Sequence, residues 1–459
     1  MVANIRHNRT LILTLLTAVL GGAVLGVSSN NMILLGLVAG AVLFVALFAA
    51  CLVNIEVWLV SYAIALTLLP QTNVAGMPVQ FGDLLFLIGL LIFMYRLKRL
   101  KGSMILTATF LFVVAVIVSV LGVFRYNPGM AFTSFLNAGR IIEVVFPVFL
   151  LSTYDRIRYD RVVKWFLSLA VLTNLFGVIQ FLIQLPLDSK TVWIGSKKFY
   201  RAASIFMESN SFGHFTAAVS IALSVLLFEK SRLPAVQAIK GWLLPTGLVI
   251  SILACLLTFS RGAMAIYLIG IIFYALITRR GSVLIKLAFT ICIPLAGLFL
   301  INPEVYQLLA GRITMTVANM FTDFDSVSGG RVDSWSLAFD VIGQNLLTGI
   351  GYKNTVEYFL LYYGEARAGD NNYITILLEL GVTGFVAFLF MSIGLIFWLA
   401  KKKERINAAM QSILLSVWVA TLIQMFVLDS FTFWRSLTIL FVFIGIMLSY
   451  KPIKKEVSL

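Results

Sequence analysis

Apolar runs of about 20 residues recur from one end of the chain to the other, and nearly every second gap between them carries a cluster of Lys and Arg. A run of that length matches an α-helix crossing the hydrocarbon core, roughly 30 Å thick at 1.5 Å per residue. Lipid offers no partner to a backbone N–H or C=O, so each run must satisfy its own polar groups, which a helix does. Fourteen spans are expected, near 11–27, 32–53, 55–69, 83–96, 104–123, 135–152, 162–185, 211–228, 242–259, 263–278, 284–301, 373–400, 408–428 and 436–450. The fold class expected is an all-α polytopic membrane protein forming one membrane domain over 1–459. Residues 302–372 are expected to form its single long extracytoplasmic loop, between the eleventh and twelfth spans. With 60% hydrophobic and only 12% charged residues, against about 25% charged in soluble domains, a soluble enzyme is excluded.

The net charge of +15 would suit a nucleic-acid binder, but the excess lies at the ends of apolar runs, where Lys and Arg set orientation and meet anionic lipid. Arg6 and Arg9 before the first run imitate a signal peptide; a second run follows at once with no convincing small-residue cleavage site, which predicts an uncleaved first span. Threading from a cytoplasmic N-terminus places the clusters around Arg96–Lys101, Arg156–Lys164, Lys230–Lys240, Arg279–Lys286, Lys401–Arg405 and Lys451–Lys455 on the same cytoplasmic side, with both termini inside. A missed span would invert the second half and spoil this pattern. The exceptions fall outside or within spans: Arg125, Arg140, Lys190, Lys197, Lys198, Arg201, Arg261, Arg312, Arg331, Lys353, Arg367 and Arg435. Acidic residues gather there too, among them Glu208, Asp333, Asp340, Asp370, Glu379 and Asp429.

No metal centre is expected, because the two histidines, His7 and His214, stand far apart and Cys51, Cys255 and Cys292 lack ligand spacing. The cysteines read as small buried hydrophobes inside spans. Ser260-Arg261-Gly262 separates two apolar runs with almost no loop, so its guanidinium stands at a bilayer lip. There it either snorkels to lipid phosphate or clamps a phosphate of its own. In the long loop, Gly330-Arg331 opens an amphipathic run with Val332, Trp335, Phe339, Ile342 and Leu346 on one face, ending in a tight turn at Gly349-Ile350-Gly351-Tyr352. A cation gains nothing from the dipole of a first helical turn, so Arg331 needs either Asp333 or an anionic ligand. A second amphipathic stretch, 356–363, leads to Asp370-Asn371-Asn372-Tyr373 at the mouth of the next span. Asp370 either caps that helix or serves as a general base toward a sugar hydroxyl, and Glu379 lies deeper, where an ionisable group marks function by default. Arg201, Asn210 and His214 follow one another into the eighth span, and Tyr352 and Tyr373 either stack on sugars or belong to an interfacial aromatic belt.

Arg201-x-x-Ser204-Ile205-Phe206 with Asn210, Ser260-Arg261-Gly262, Gly330-Arg331 with Trp335, Gly349-x-Gly351, Asp370-Asn371-x-Tyr373 and Glu379-x-Gly381-x-x-Gly384 together resemble the O-antigen ligase and Wzy-type polysaccharide polymerase superfamily, over roughly 200–390. The resemblance implies a GT-C-like helical membrane fold. It implies transfer of glycan from an undecaprenyl-diphosphate carrier on the outer face of the bacterial cytoplasmic membrane, with no cofactor and no metal. Arg261 and Arg331 match the arginines that hold the donor diphosphate, and Asp370 falls where ligases of the family carry a histidine. A polymerase joining two lipid-linked oligosaccharides is therefore expected ahead of a ligase passing finished glycan to a lipid, protein or wall acceptor. Expected partners are that donor and acceptor, the bilayer and room for a chain-length regulator, with no nucleic acid. A lipid-linked oligosaccharide transporter is the third reading. It would place polar residues at midplane in both halves, whereas here they cluster at outer span ends.

Overall fold

The computed structural model describes residues 44–69, 72–74, 77–155, 157, 159–188, 190–194, 197–229, 242–319, 331–365, 371–401 and 408–449. The first expected span and Asp370 lie outside them, as do Arg367 and most of the second expected span. The chain is an all-α polytopic membrane protein. Its helices are α1 (Phe44–Val53), α2 (Ile55–Leu68), α3 (Phe81–Arg96), α4 (Met104–Tyr126), α5 (Ala131–Ser152), α6 (Tyr159–Leu182), α7 (Ser209–Phe228) and α8 (Leu243–Leu257). They continue with α9 (Arg261–Thr278), α10 (Ser282–Ile301), α11 (Pro303–Asn319), α12 (Arg331–Gln344), α13 (Thr355–Tyr363), α14 (Asn372–Ala400), α15 (Ala408–Gln424) and α16 (Trp434–Ser449). By length and composition, seven segments of the described residues suffice to cross a membrane, within α4, α5, α6, α7, α9, α10 and α14; α1, α2, α8, α15 and α16 are shorter apolar helices.

Two hairpins interrupt the helical order, β1 (Thr72–Val74) with β2 (Met77–Val79) and β3 (Thr191–Ile194) with β4 (Lys197–Tyr200), both antiparallel. Neither shows in the hydrophobic pattern, since strands of three or four residues carry no readable period. Helix starts follow capping chemistry. Ser103 accepts from the Leu106 N–H at 3.2 Å, Glu208 from Ser211 at 2.9 Å, and Ser260 from Ala263 at 3.4 Å. At α14 the cap is Asn371, whose Oδ1 accepts from Tyr373 and Ile374 at 3.0 and 3.2 Å, so the capping role offered to Asp370 falls one residue later. Cys51 and Cys255 are buried as expected, but Cys292 lies on the exposed face of α10, where lipid is the natural neighbour.

The two ends of the bundle differ. At one, Arg96 donates to the Thr153 carbonyl at 3.2 Å, Lys101 pairs with Asp155 and Arg280 with Glu229, all in short inter-helix turns. The other end, here the loop face, receives the segment between α10 and α14. Tyr126 at the end of α4 donates to Asn345, Ser134 of α5 donates to the Tyr352 carbonyl, and Tyr362 donates to the Tyr126 carbonyl at 3.2 Å. Ala338, Val341, Ile342, Ile350, Phe359 and Leu378 form a small second core between α12, α13 and the first turns of α14. The face read from the sequence is buried only in part: Ile342 and, partly, Trp335 pack on the bundle with Ala338 and Val341, whereas Phe339 and Leu346 are exposed.

The segment's hold on α14 is a backbone splice. Gly381 (φ 67°) interrupts α14, and the freed groups are met by the incoming chain. Ile350 N–H donates to the Leu378 carbonyl and Gly351 N–H to the Glu379 carbonyl, both at 2.9 Å, while Val382 N–H donates to Leu346 at 2.8 Å. The approach is close enough to exclude any side chain: a Cβ on Gly349 would stand 2.5 Å from the Glu379 carbonyl, and one on Gly381 2.4 Å from the Leu347 carbonyl. Gly381→Ala would meet a left-handed backbone, which costs about 1–2 kcal/mol, and a backbone clash besides. It is expected to lower the unfolding temperature of the protein in detergent or nanodiscs by several degrees, whereas Gly297→Ala, where nothing lies within 4 Å, should leave it unchanged.

Candidate functional site

The chain between β4 and α7 is pinned before it presents anything. Gln180 of α6 accepts from the Ala203 and Ser204 N–H groups at 2.8 and 3.1 Å and donates to the Arg201 carbonyl at 3.3 Å, while Ala202 N–H donates to Leu257 at 3.0 Å. Arg201 is thereby held buried, 7% exposed, with Nε donating to the Thr258 carbonyl at 2.6 Å and Nη2 to Asn210 Oδ1 at 3.1 Å. Burial, and next the charge of Arg312, push its guanidinium down to about 10, against the pull of Asp188 and Glu208. It therefore remains charged at neutral pH. Arg312 on α11 is lowered in turn by burial and by Arg261. Arg261 is the exposed first residue of α9, directly after the Ser260 cap. Arg312 thus stands in the fields of both Arg201 and Arg261 on the loop face. Like charges so placed repel, and a polyanion between them would reverse the sign.

A second polar group adjoins them. Lys353, in the turn after Gly351, donates to Asp429 at 3.3 Å. Burial pulls its ammonium down, but Asp429 and Glu379 outweigh burial and hold it above its ordinary value. Glu379, 2% exposed, accepts from Thr355 Oγ1 at 2.7 Å. Asn372, at the head of the same helix, accepts from Phe431 N–H at 2.8 Å and donates its own N–H to Met425. Ser430, beside Asp429, donates to Gln424 Oε1 at 2.7 Å, and Gln424 Nε2 lies 2.9 Å from where a Cβ on Gly262 would be. Gln424 and Ser430 thus lie between the Arg261-Gly262 start of α9 and the Asp429–Lys353 pair.

Of the residues singled out in the sequence, Arg201, Asn210 and Arg261 meet in the first group, and Tyr352 and Glu379 in the second, the Tyr352 side chain lining the same recess as Lys353. Arg331 is the first residue of α12. His214, 1% exposed, is locked inside the bundle, with Nδ1 bonded to Ser436 Oγ at 2.9 Å and Nε2 to Thr421 Oγ1 at 3.1 Å. Asn371 is engaged as the α14 cap. Tyr373 donates to the Leu422 carbonyl at 2.8 Å and packs its ring 4.4 Å from that of Phe426, so the structure gives it a packing role. Arg312, Lys353 and Asp429 are additions. Arg312 and Lys353 were visible as outer cations breaking the orientation rule and Asp429 among the acids gathered with them, but their association depends on contacts far apart in sequence.

A recess of about 600 Å³, apolar, lies within the bundle between α6, α7, α15 and α16, lined by residues such as Phe166, Phe215, Leu414 and Leu440. Its polar lining residue, Ser436, is the partner of His214. Among the described residues no three His, Cys, Asp or Glu side chains converge as metal ligands.

Residues 246–389 match the family model described as O-Antigen ligase. That match covers under half of the chain and supports the likeness to the O-antigen ligase and Wzy-type superfamily. No curated protein matches it in sequence. The O-antigen ligase match runs from α8 through α14 to Leu389, and so takes in the start of α9, α11 with Arg312, the Gly349–Gly351 turn and the Asn372–Glu379 face of α14. Members of this superfamily are glycosyltransferase-like enzymes working on lipid-linked polysaccharide in a membrane.

Lys353 stands between two carboxylates, one of them deeply buried. Lys353→Met would leave Glu379 facing Asp429 uncompensated, a loss expected at about 2 kcal/mol for a pair still open to solvent at one end. In thermal unfolding of the membrane-embedded protein, Lys353→Met should melt earlier than wild type. Adding Glu379→Gln should recover a good part of the difference; a double variant no better than the single one would show that the charges are not coupled.

Proposed function

We propose that this chain is a surface-polysaccharide polymerase. It would transfer glycan from an undecaprenyl-diphosphate-linked donor to a lipid-linked acceptor at the outer face of a bacterial cytoplasmic membrane, without metal or cofactor. The observation that carries this reading is the convergence of Arg201, Arg261 and Arg312 on the loop face. The loop face is then the extracytoplasmic one, 302–372 the extracytoplasmic loop of a single membrane domain, and both termini cytoplasmic.

In the proposed reaction an acceptor hydroxyl oxygen attacks the anomeric carbon of the donor sugar. The carbon–oxygen bond to the diphosphate breaks, and the electron pair leaves with the polyprenyl diphosphate. Negative charge grows on the leaving group, so fixed guanidiniums aimed there stabilise the transition state more than the ground state. Arg261 and Arg331 are assigned to the diphosphate, with Arg201 and Arg312 deepening the positive field. Asp370, at the mouth of α14, is assigned to receive the acceptor proton. Asn210, His214, Tyr352, Asn371, Tyr373 and Glu379 make up the surrounding site, the buried ones by fixing helix ends. A donor carried on a lipid also suits a site at a bilayer lip.

The matched family model is described as a ligase, and that supports a second reading, transfer of finished glycan to another acceptor. Position 370 favours the polymerase, because it carries Asp where ligases of the family carry histidine.

Arg261→Ala, Arg331→Ala and Asp370→Asn are each expected to abolish chain extension in cells, seen as loss of the ladder in electrophoresis of surface glycans with a single capped repeat remaining. Long polymer accumulating on the carrier would instead indicate a ligase, and unchanged ladders in all three would remove the assigned site. Arg331→Lys keeps the charge but loses the forked donor, and should retain well under a tenth of the activity.

A further inference from the structure

The second polar group encloses a recess whose ligand the transfer step does not name, although Tyr352 and Glu379 of the proposed site line it. It is lined by Lys353, Asn372, Thr375, Glu379, Asp429 and Thr432, with Phe112, Tyr352 and Phe431 as apolar walls, and spans about 290 Å³ including its open mouth. Lys353 and Asp429 stand at the mouth, their side chains 27% and 25% exposed. Asn372, Thr375 and Glu379, at 1%, 6% and 2%, succeed one another down one face of α14 and form the depth. That depth admits roughly one water-sized group.

Two buried atoms here have no hydrogen-bond partner, Asn372 Nδ2 and Thr375 Oγ1. Asn372 cannot turn away to find one, because its Oδ1 is fixed by the Phe431 N–H. A buried amide N–H without a partner costs about 1–3 kcal/mol, so its retention beside a second orphan points to a ligand that supplies both an acceptor and a donor. The chemistry of the surroundings narrows the class. The Lys353 ammonium disfavours a cation, and the Asp429 and Glu379 carboxylates disfavour a phosphate or a carboxylate. A hydroxyl both donates and accepts, carries no charge, and fits the depth, while the aromatic walls suit the C–H face of a sugar ring.

We propose that this recess is a specificity subsite that receives one hydroxyl or hydroxymethyl substituent of a pyranose, with Asn372 and Thr375 bonding the substituent and Asp429 and Lys353 meeting the ring at the mouth. On the reading given under Proposed function, that ring belongs to the acceptor, because the recess is lined by Asn372 at the start of α14, close in sequence to the Asp370 assigned to the acceptor proton, and by neither arginine assigned to the diphosphate.

The full chain in nanodiscs is titrated by saturation-transfer NMR with free glucose, galactose, mannose and rhamnose, and with inorganic phosphate as a control. At least one pyranose should bind, and Thr375→Val, which removes the hydroxyl at constant volume, should weaken it about tenfold. Asp429→Asn should weaken the same sugar. The analogue deoxygenated at the seated hydroxyl should bind wild type and Thr375→Val equally. Binding of no pyranose, binding unaffected by Thr375→Val, or phosphate competing at the same site would each overturn the proposal. Long polymer accumulating on the carrier in Arg261→Ala cells would sink the polymerase reading instead, whatever the sugars do.

Discussion

A break in a helix inside a membrane is tolerable only if something returns the hydrogen bonds that it releases, and in this protein that requirement ties the long loop to the bundle. Helix α14 opens at Gly381, and the chain from Leu346 to Gly351 closes the gap with three backbone bonds of 2.8–2.9 Å. The splice has chemical consequences on both sides. It brings Lys353 over Glu379, it lays α12 and α13 on the first turns of α14, and it sets Tyr352 against the end of α5 through the Ser134 bond. A loop attached only by side chains would leave such a constellation to fluctuate; here backbone joins backbone, with glycine at each point of closest approach.

Charge separates the two ends of the molecule in kind as well as in number. At the end opposite the loop the described basic residues lie near the surface, and several answer single acids or a carbonyl. At the loop face guanidiniums are drawn inward and answered in two ways. Arg140 of α5 is matched by Asp83 and Glu143, with Tyr62 bonded to Glu143 at 3.4 Å and the Trp434 ring 5.0 Å from its guanidinium. Such a buried pair joins α3 to α5 and is compensated in place. Arg201, by contrast, is buried in the field of Arg312 with Asp188 and Glu208 as partial relief, and Arg312 in turn lies in the field of Arg261.

Much of this was legible in the sequence, and the reason is the solvent. Lipid imposes a single length and a single secondary structure on every crossing, so the third to fourteenth expected runs each coincide with a helix to within a few residues, seven of them within segments long and apolar enough to cross. The orientation rule then isolated a dozen exceptional cations, from which the arginine cluster is drawn. What the sequence withheld were properties of pairs. Nothing in Arg140 or Arg312 taken singly says that one meets two carboxylates and the other a second arginine. His214 was noticed as a rare ionisable group, yet its bonds to Ser436 and Thr421 span more than two hundred residues and make it a strut. Tyr373 fits the same pattern, since a tyrosine at a membrane mouth looks the same whether its hydroxyl waits for a sugar or reaches the Leu422 carbonyl.

The sign of the partner is therefore the property that sorts these charges. An arginine kept for stability gains from an acid beside it, because an uncompensated buried charge is strongly destabilising. An arginine that must bind an anion loses by the same arrangement, since the ligand would have to displace the acid first. Burial among like charges inverts both effects: it raises the free energy of the empty site and lowers that of the occupied one, so affinity is obtained at the expense of stability. On the loop face Arg140 is of the first kind, while Arg201 is buried in the field of Arg312 and only partly relieved by Asp188 and Glu208. That contrast supports reading Arg201 and its neighbourhood as arranged for a polyanion and the network at Arg140 as arranged for the fold.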